Sequence, residues 1–263
     1  MSNLPNITRV RHEVRLRRTT VSQVEMIAPK MKRITVKSDE LRGFTSLGFD
    51  DHVKLIFPNT EGQLNLALPG TEGASERVMR DFTPRRFDAE AGELVIDFVI
   101  HDDGPATTWA ANANVGSVLG VGGPRGSAII STDGIGLHLL IGDETALPAI
   151  ARRLEELPAT TSALVVVEVQ PGFELKLSSR ANLQVMWAPR TDANAMTGEF
   201  LLGALDNLPF VKEGCFAWAA TETQAVRAIR RYLIEGRGFD KRWVKAAGYW
   251  QRGAVGEHVV IDD

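Results

Sequence analysis

Cysteine is almost absent: Cys215 is the sole one in 263 residues. No intrachain disulfide can form, and a reducing, cytoplasmic compartment is the expectation. No apolar run approaches the ~20 residues that a membrane-spanning helix needs, so no membrane partner is expected. The opening residues, MSNLPNITRV, lack the apolar stretch of a signal peptide. The five histidines (His12, His52, His101, His138 and His258) have no metal-ligand spacing with one another or with Cys215, so no metal site is expected. There is no G-x-G-x-x-G fingerprint, no internal repeat and no low-complexity segment. A strong net charge is missing too: Lys plus Arg is 30 and Asp plus Glu is 33. With that balance and no recognition motif, nucleic acid is not an expected partner. Apolar residues make up 44%, which excludes a disordered or collagen-like chain and leaves one large globular domain or two small ones.

What charge there is lies unevenly. Residues 1–42 hold ten Lys and Arg against four acids, a balance of +6 that leaves −9 for the rest. A basic face of this kind is either simply solvated or attractive to an anionic ligand.

From Thr8 the residues alternate. Val10, His12, Val14 and Leu16 point one way, and Arg9, Arg11, Glu13, Arg15 and Arg17 the other, which is the period of a half-buried strand. Met31–Val36, His52–Phe57 and Glu93–Ile100 read as further strands. Short strands punctuated by Gly and Pro turns predict an antiparallel barrel or sandwich. The second half alternates strand and helix. Leu137–Ile141, Ala163–Val169, Asn182–Trp187, Cys215–Ala220 and Trp243–Trp250 read as strands, and Thr145–Leu157, Met196–Leu208 and Thr223–Gly236 as helices. That order predicts a doubly wound parallel sheet, whose ligands sit at the carboxyl ends of its strands. A composition break at Ser131–Gly136 gives predicted domains of 1–132 and 133–263.

Four stretches carry chemistry. In Arg80-Asp81-Phe82-Thr83, a strand would put the guanidinium of Arg80 and the ring of Phe82 on one side, an anion partner beside an aromatic face. Pro84 biases Thr83 to an extended backbone. The plainer alternative is an exposed Arg next to a core Phe. Asp103-Gly104-Pro105-Ala106 reads as a turn, or as a helix start whose amides donate to a phosphate. Gly142-Asp143-Glu144-Thr145 follows a strand and begins a helix, the place for either a cap or a nucleotide. Ala219-Ala220-Thr221-Glu222 ends a later strand in the same way. Arg190, just after a strand, is a guess for a nucleotide 2′-phosphate.

Four segments stand in order: RDFTPR from Arg80, HDDGPATTW from His101, GPRG from Gly123 followed by GDETALPAI from Gly142, and GYWQRG from Gly248. Together they resemble the siderophore-interacting protein family of FAD-dependent ferric-siderophore reductases, which share the ferredoxin-reductase architecture. The resemblance runs from about Val10 to about Gly253. It implies an N-terminal antiparallel six-stranded flavin-binding barrel followed by a doubly wound parallel-sheet NAD(P)-binding domain. It implies FAD as cofactor, NADPH or NADH as donor with ferredoxin as an alternative, and a ferric siderophore as substrate. Cofactor contacts are implied for Arg80, Phe82, Thr83, His101, Asp103, Gly104, Pro105, Ala106, Thr108, Trp109, Asp143, Glu144, Thr145 and Trp250. An anionic ferric chelate would meet Lys54, Arg125 and Arg252. The family usually has Tyr at Phe82, and often Gly at Thr221. No catalytic acid or nucleophile is expected, because the flavin carries the chemistry. A general NAD(P)H:flavin or ferric-chelate reductase is one alternative, and a non-catalytic binding protein for anionic chelates is another. A monomer is the default expectation.

Overall fold

The structure, a computed structural model, describes residues 4–67, 77–101, 104–173, 175–192, 198–209, 212–253 and 259–261. The chain divides into two compact units, Arg9–Ile129 and a second made of Ile130–Asp263 with Met1–Thr8.

The strands before residue 131 are β1 (Ile7–Arg11), β2 (Leu16–Ala28), β3 (Met31–Lys37), β4 (Val53–Ile56), β5 (Met79–Phe82), β6 (Arg86–Asp88), β7 (Glu93–Val99), β8 (Val118–Gly122) and β9 (Gly126–Ile130). One helix, α1 (Pro105–Asn112), lies between β7 and β8. Seven strands form one sheet in the order β5-β4-β8-β2-β3-β7-β6, while β1 and β9 pair separately. The expected six-stranded barrel is corrected in its count, and its terminal strands β5 and β6 are not neighbours. Inside, β-branched and aromatic residues alternate onto one face: Ile34 and Val36 of β3 and Leu94, Ile96 and Phe98 of β7 are buried in one cluster.

The expected continuous strand through Leu16 is two strands. β1 ends at Arg11: the His12 amide still donates to the Arg125 carbonyl at 2.9 Å while its Nε2 lies 2.8 Å from Ser127 Oγ, and Glu13 and Arg15 pair with each other in solvent. Val14, expected inward, is 54% exposed. The basic segment is also partly internal. Arg17 is buried and donates to the carbonyls of Arg15, Glu40 and Gly123. Lys32 donates to the carbonyls of Ala110 and Ala111 at the end of α1, where a cation offsets the helix dipole. Arg33 grips Asp97 with two hydrogen bonds, at 2.7 and 2.8 Å.

The second unit holds β10 (Leu137–Asp143), α2 (Leu147–Glu156), β11 (Ser162–Val169), β12 (Asn182–Pro189), α3 (Glu199–Asp206), β13 (Cys215–Glu222), α4 (Thr223–Arg231), β14 (Val244–Trp250) and β15 (Val259–Val260). The order is β12-β11-β10-β13-β14-β15. The first five are parallel, and β15 is antiparallel to β14. The run ALVVVEV in β11 is buried on both faces, as a central parallel strand must be. The expected helix at Met196–Leu208 is shorter, and Met196 lies outside the described residues. α4 runs on into a single π turn at Tyr232–Gly236, and Val226, Ile229 and Leu233 fill the core beneath it.

Burial shifts the titration of Cys215 and His138 in this sheet. Burial pushes the Cys215 thiol up to about 12. His138 is fully buried and neither ring nitrogen has a hydrogen-bond partner among the described residues; burial, with Arg153 nearby, pushes it down to about 3. The chain winds from β10 to β11 and β12 on one side and then returns to β13 on the other. That reversal makes the carboxyl ends of β10 and β13 the switch point of the sheet, the place where folds of this kind take their ligands. Among the described residues no helix is long and apolar enough to cross a membrane.

Candidate functional site

In the first unit, the Arg80 motif lies on β5, paired antiparallel with β4. Leu55 faces Arg80, Val53 faces Phe82, and Lys54 faces Asp81. The pleat therefore puts Arg80 and Phe82 on one face and Asp81 with Lys54 on the other. Phe82 is half-buried, its ring 4.5 Å from that of Phe98, which lies 5.6 Å from Trp109 of α1. The ring of Phe82 packs against the core and is neither fully buried nor fully exposed. Arg80 is half-buried and donates from Nη1 to the Met79 carbonyl at 2.7 Å, with no ion pair among the described residues. Thr83 is buried directly beyond it.

The start of α1 is bare. Gly104 is the N-cap at φ 128°, Pro105 follows, and among the described residues no side chain caps the turn. The amides of Ala106 and Thr107 therefore have no intrahelical acceptor. Among the described residues, a Cβ at Gly104 would meet just His101 Cε1, at the ordinary contact distance of 3.6 Å. His101 and Thr108 are exposed, while Trp109 packs against Phe57 and Phe98. Asp103 lies outside the described residues. Lys54 is not a free surface lysine: its Nζ donates to Asp81 Oδ2 at 2.6 Å. Arg125 is exposed at the turn between β8 and β9.

In the second unit, Asp143 ends β10 and gathers its neighbours. Oδ1 accepts from the Thr145 amide at 2.9 Å and from its hydroxyl at 2.5 Å. Oδ2 accepts from Thr221 Oγ1 at 2.6 Å and Trp250 Nε1 at 2.8 Å. One carboxylate thus ties together the carboxyl ends of β10, β13 and β14. Thr221, where the resembled family often has Gly, is fully buried and spends its hydroxyl on Asp143. Glu144 turns the other way, accepting from the Gln170 amide at 2.7 Å and from Arg190. Arg190 also meets Glu168 at 3.3 Å, so two carboxylates already hold the guanidinium guessed for a 2′-phosphate. Burial keeps the Glu168 carboxyl above its ordinary value despite Arg190 beside it. Glu222 Oε2 caps α4 through the amides of Gln224 and Ala225, and its Oε1 accepts from the amide of Arg252, an exposed residue, at 3.4 Å. Among the described residues no group of His, Cys, Asp or Glu could hold a metal ion.

Comparison with known proteins agrees with this arrangement. The profile of the siderophore-interacting FAD-binding domain matches residues 20–128, and that of the siderophore-interacting protein matches residues 136–253. An NADPH-dependent ferric-chelate reductase of Escherichia coli is 34% identical over 95% of this chain and 99% of its own. The chain belongs to the siderophore-interacting protein family. Ferric vibriobactin reductase ViuB of Vibrio cholerae is 32% identical over 90% of this chain and 92% of its own. A siderophore utilization protein from T. fusca superposes with a TM-score of 0.86 at 38% identity, covering 96% of this chain and 98% of its own. The siderophore-interacting protein SipS of Aeromonas hydrophila superposes at 0.76 with 28% identity, covering 91% and 93%.

Residues 20–128 of this siderophore-interacting protein match a FAD-binding domain, and the residues there would suit that cofactor. The first turn of α1 and the half-buried Arg80 would supply donors to a pyrophosphate, and the half-buried Phe82 an aromatic face. Sequence reasoning did not single out Asp81, Glu168 or a hydroxyl role for Thr221. Each acts across strands, through a partner 20 or more residues away, so no local spacing signals it.

Proposed function

We propose that this protein is an FAD-dependent ferric-siderophore reductase: it takes electrons from NADPH or NADH and delivers them to Fe(III) held by a siderophore, releasing Fe(II). The observation that carries the reading is the pairing, in one FAD-binding unit, of Arg80 and Phe82 on one strand face with the uncapped start of α1. The stoichiometry is NAD(P)H + 2 Fe(III) → NAD(P)⁺ + H⁺ + 2 Fe(II). Bound FAD supplies the exchange between a two-electron donor and a one-electron acceptor. Hard oxygen donors hold Fe(III) far better than Fe(II), so reduction loosens the metal.

The chain's own residues bind and orient. Arg80 and the amides of Ala106 and Thr107 hold the pyrophosphate, and Phe82 lies against a planar group. Asp143 fixes the direction of the Trp250 indole and of Thr145 at the edge where a nicotinamide nucleotide would enter. Lys54, Arg125 and Arg252 attract an anionic ferric complex. The lone buried thiol of Cys215 suits a reducing cytoplasm.

The test is an anaerobic visible spectrum of protein reconstituted with FAD, then given NADPH or NADH, then a ferric chelate with an Fe(II) trap. The yellow band should bleach with one nucleotide and return as trapped Fe(II) appears. Bleaching by neither nucleotide would make the donor a protein such as ferredoxin. Failure to take up FAD, or return of colour with free FMN but with no ferric chelate, would sink the proposal.

A further inference from the structure

We infer that Asp81 is a specificity-determining residue: it tethers Lys54, offsets its charge, and so sets the charge class of ferric chelate that the protein accepts. This rests on the role of Lys54 in the reductase reading.

Lys54 and Asp81 sit directly opposite on β4 and β5, joined Nζ to Oδ2 at 2.6 Å. Their surroundings differ. The Lys54 side chain is 39% exposed, whereas that of Asp81 is 12% exposed. Asp81 Oδ1 is buried and has no hydrogen-bond partner among the described residues. Its carboxylate therefore depends on Lys54. A lysine that swung out to meet a ligand would strand a buried anion, which is strongly unfavourable. Lys54 accordingly stays on Asp81 and offers a ligand its remaining ammonium donors. On the β8 side the cross-strand neighbour is Gly122, covered by Leu16, so that side of the row brings no charge. The row Leu16–Gly122–Lys54–Asp81 thus has one positive and one negative charge.

A lone lysine attracts an anion more strongly as the anion's charge rises. A lysine–aspartate pair acts as a dipole: it keeps a directed donor, but its carboxylate repels a multiply charged ligand. The pair therefore favours chelates of low net charge over highly anionic ones. Because Asp81 lies between Arg80 and Phe82 in sequence, β5 carries the cofactor residues on one face and this charge filter on the other.

The experiment measures equilibrium binding to FAD-loaded protein by tryptophan fluorescence. The two probes are a triply anionic iron(III) tris-catecholate and a neutral iron(III) tris-hydroxamate. Asp81→Asn should tighten binding of the tris-catecholate about three- to tenfold at low salt, with the gain shrinking as salt rises. Affinity for the neutral chelate should change less than about twofold on the same argument. The double variant Lys54→Met/Asp81→Asn has the wild-type net charge, so the preference between probes should return to the wild-type ratio while both bind more weakly. Asp81→Ala should repeat the Asn result, and serves in its place if the Asn variant fails to retain FAD. An unchanged ratio in both single variants, an equal shift for both probes, or a double variant that keeps the single variant's ratio would overturn the inference, as would wild-type protein that binds neither probe. Chelate reduction is assayed separately. Wild-type protein that binds both probes and reduces neither would refute the reductase reading, with the binding ratios still deciding the role of Asp81.

Discussion

Arg80 makes no ion pair among the described residues, whereas Arg17 is spent on three carbonyl oxygens and Arg33 on Asp97. A half-buried arginine without a counter-ion among the described residues would suit an anionic ligand, as the proposed FAD site requires. Arg80→Ala should therefore raise the Kd for FAD about 10- to 100-fold, the worth of one or two charge-assisted hydrogen bonds. Quenching of FAD fluorescence on titration with the variant checks this, and far-ultraviolet circular dichroism should show an unchanged fold. At this scale the sequence is least legible. Arg15, Arg17 and Arg18 look alike in a basic run, yet Arg15 bonds Glu13 in solvent and Arg17 is buried. The partners of Arg17 come from Glu40 and Gly123, far along the chain, and nothing next to it announces them. Phe82 was readable as an aromatic beside an arginine, but its packing against the core depends on Phe98.

Strands and helices were more legible, because burial writes a period into them. ELVIDFVI became β7 and ALVVVEV became β11, both buried along most of their length. The period failed at residues 12–15, where tertiary bonds from His12 and a local ion pair overrode it. It overshot at α3, where Met196–Leu208 shortened to Glu199–Asp206. The junction of β10 with α2 shows why GDET is built as it is. Gly142 has the Ala220 carbonyl 2.7 Å from where a Cβ would stand, and Asp143 immediately beyond it binds β13 and β14. A methyl group there meets backbone that cannot turn aside. Gly142→Ala should lower stability by about 1–3 kcal/mol. It should also weaken nicotinamide-driven bleaching of the flavin more than FAD uptake, since it disturbs the second unit. Urea unfolding and the two spectral readings measure both effects.

For the whole molecule, His138 ties stability to pH. Its folded value is about 3, well below the ordinary imidazole value, so the folded protein excludes a proton that the unfolded chain accepts. The contribution is complete above about pH 6.5 and is lost as pH falls from there toward 3. The slope reaches at most about 1.4 kcal/mol per pH unit. Urea midpoints taken at falling pH should decline more steeply for the wild type than for His138→Leu. Parallel lines would show that this ring does not govern the decline. The domain order was legible as strand-rich then alternating, because each architecture has its own rhythm of elements. The chain's division near Ile129, and the return of its first residues to the second unit, depend on contacts no window of sequence contains. Cys215 has a practical consequence. Sealed in β13 with its thiol pushed up to about 12, the native cysteine is a poor nucleophile at neutral pH. A cysteine engineered at an exposed position, such as Val115, would be the one that takes a dye or spin label, with no need to replace Cys215 first. A pair of such labels, one in each unit, would turn the molecule into its own distance ruler, able to report whether the units move as electrons pass through it.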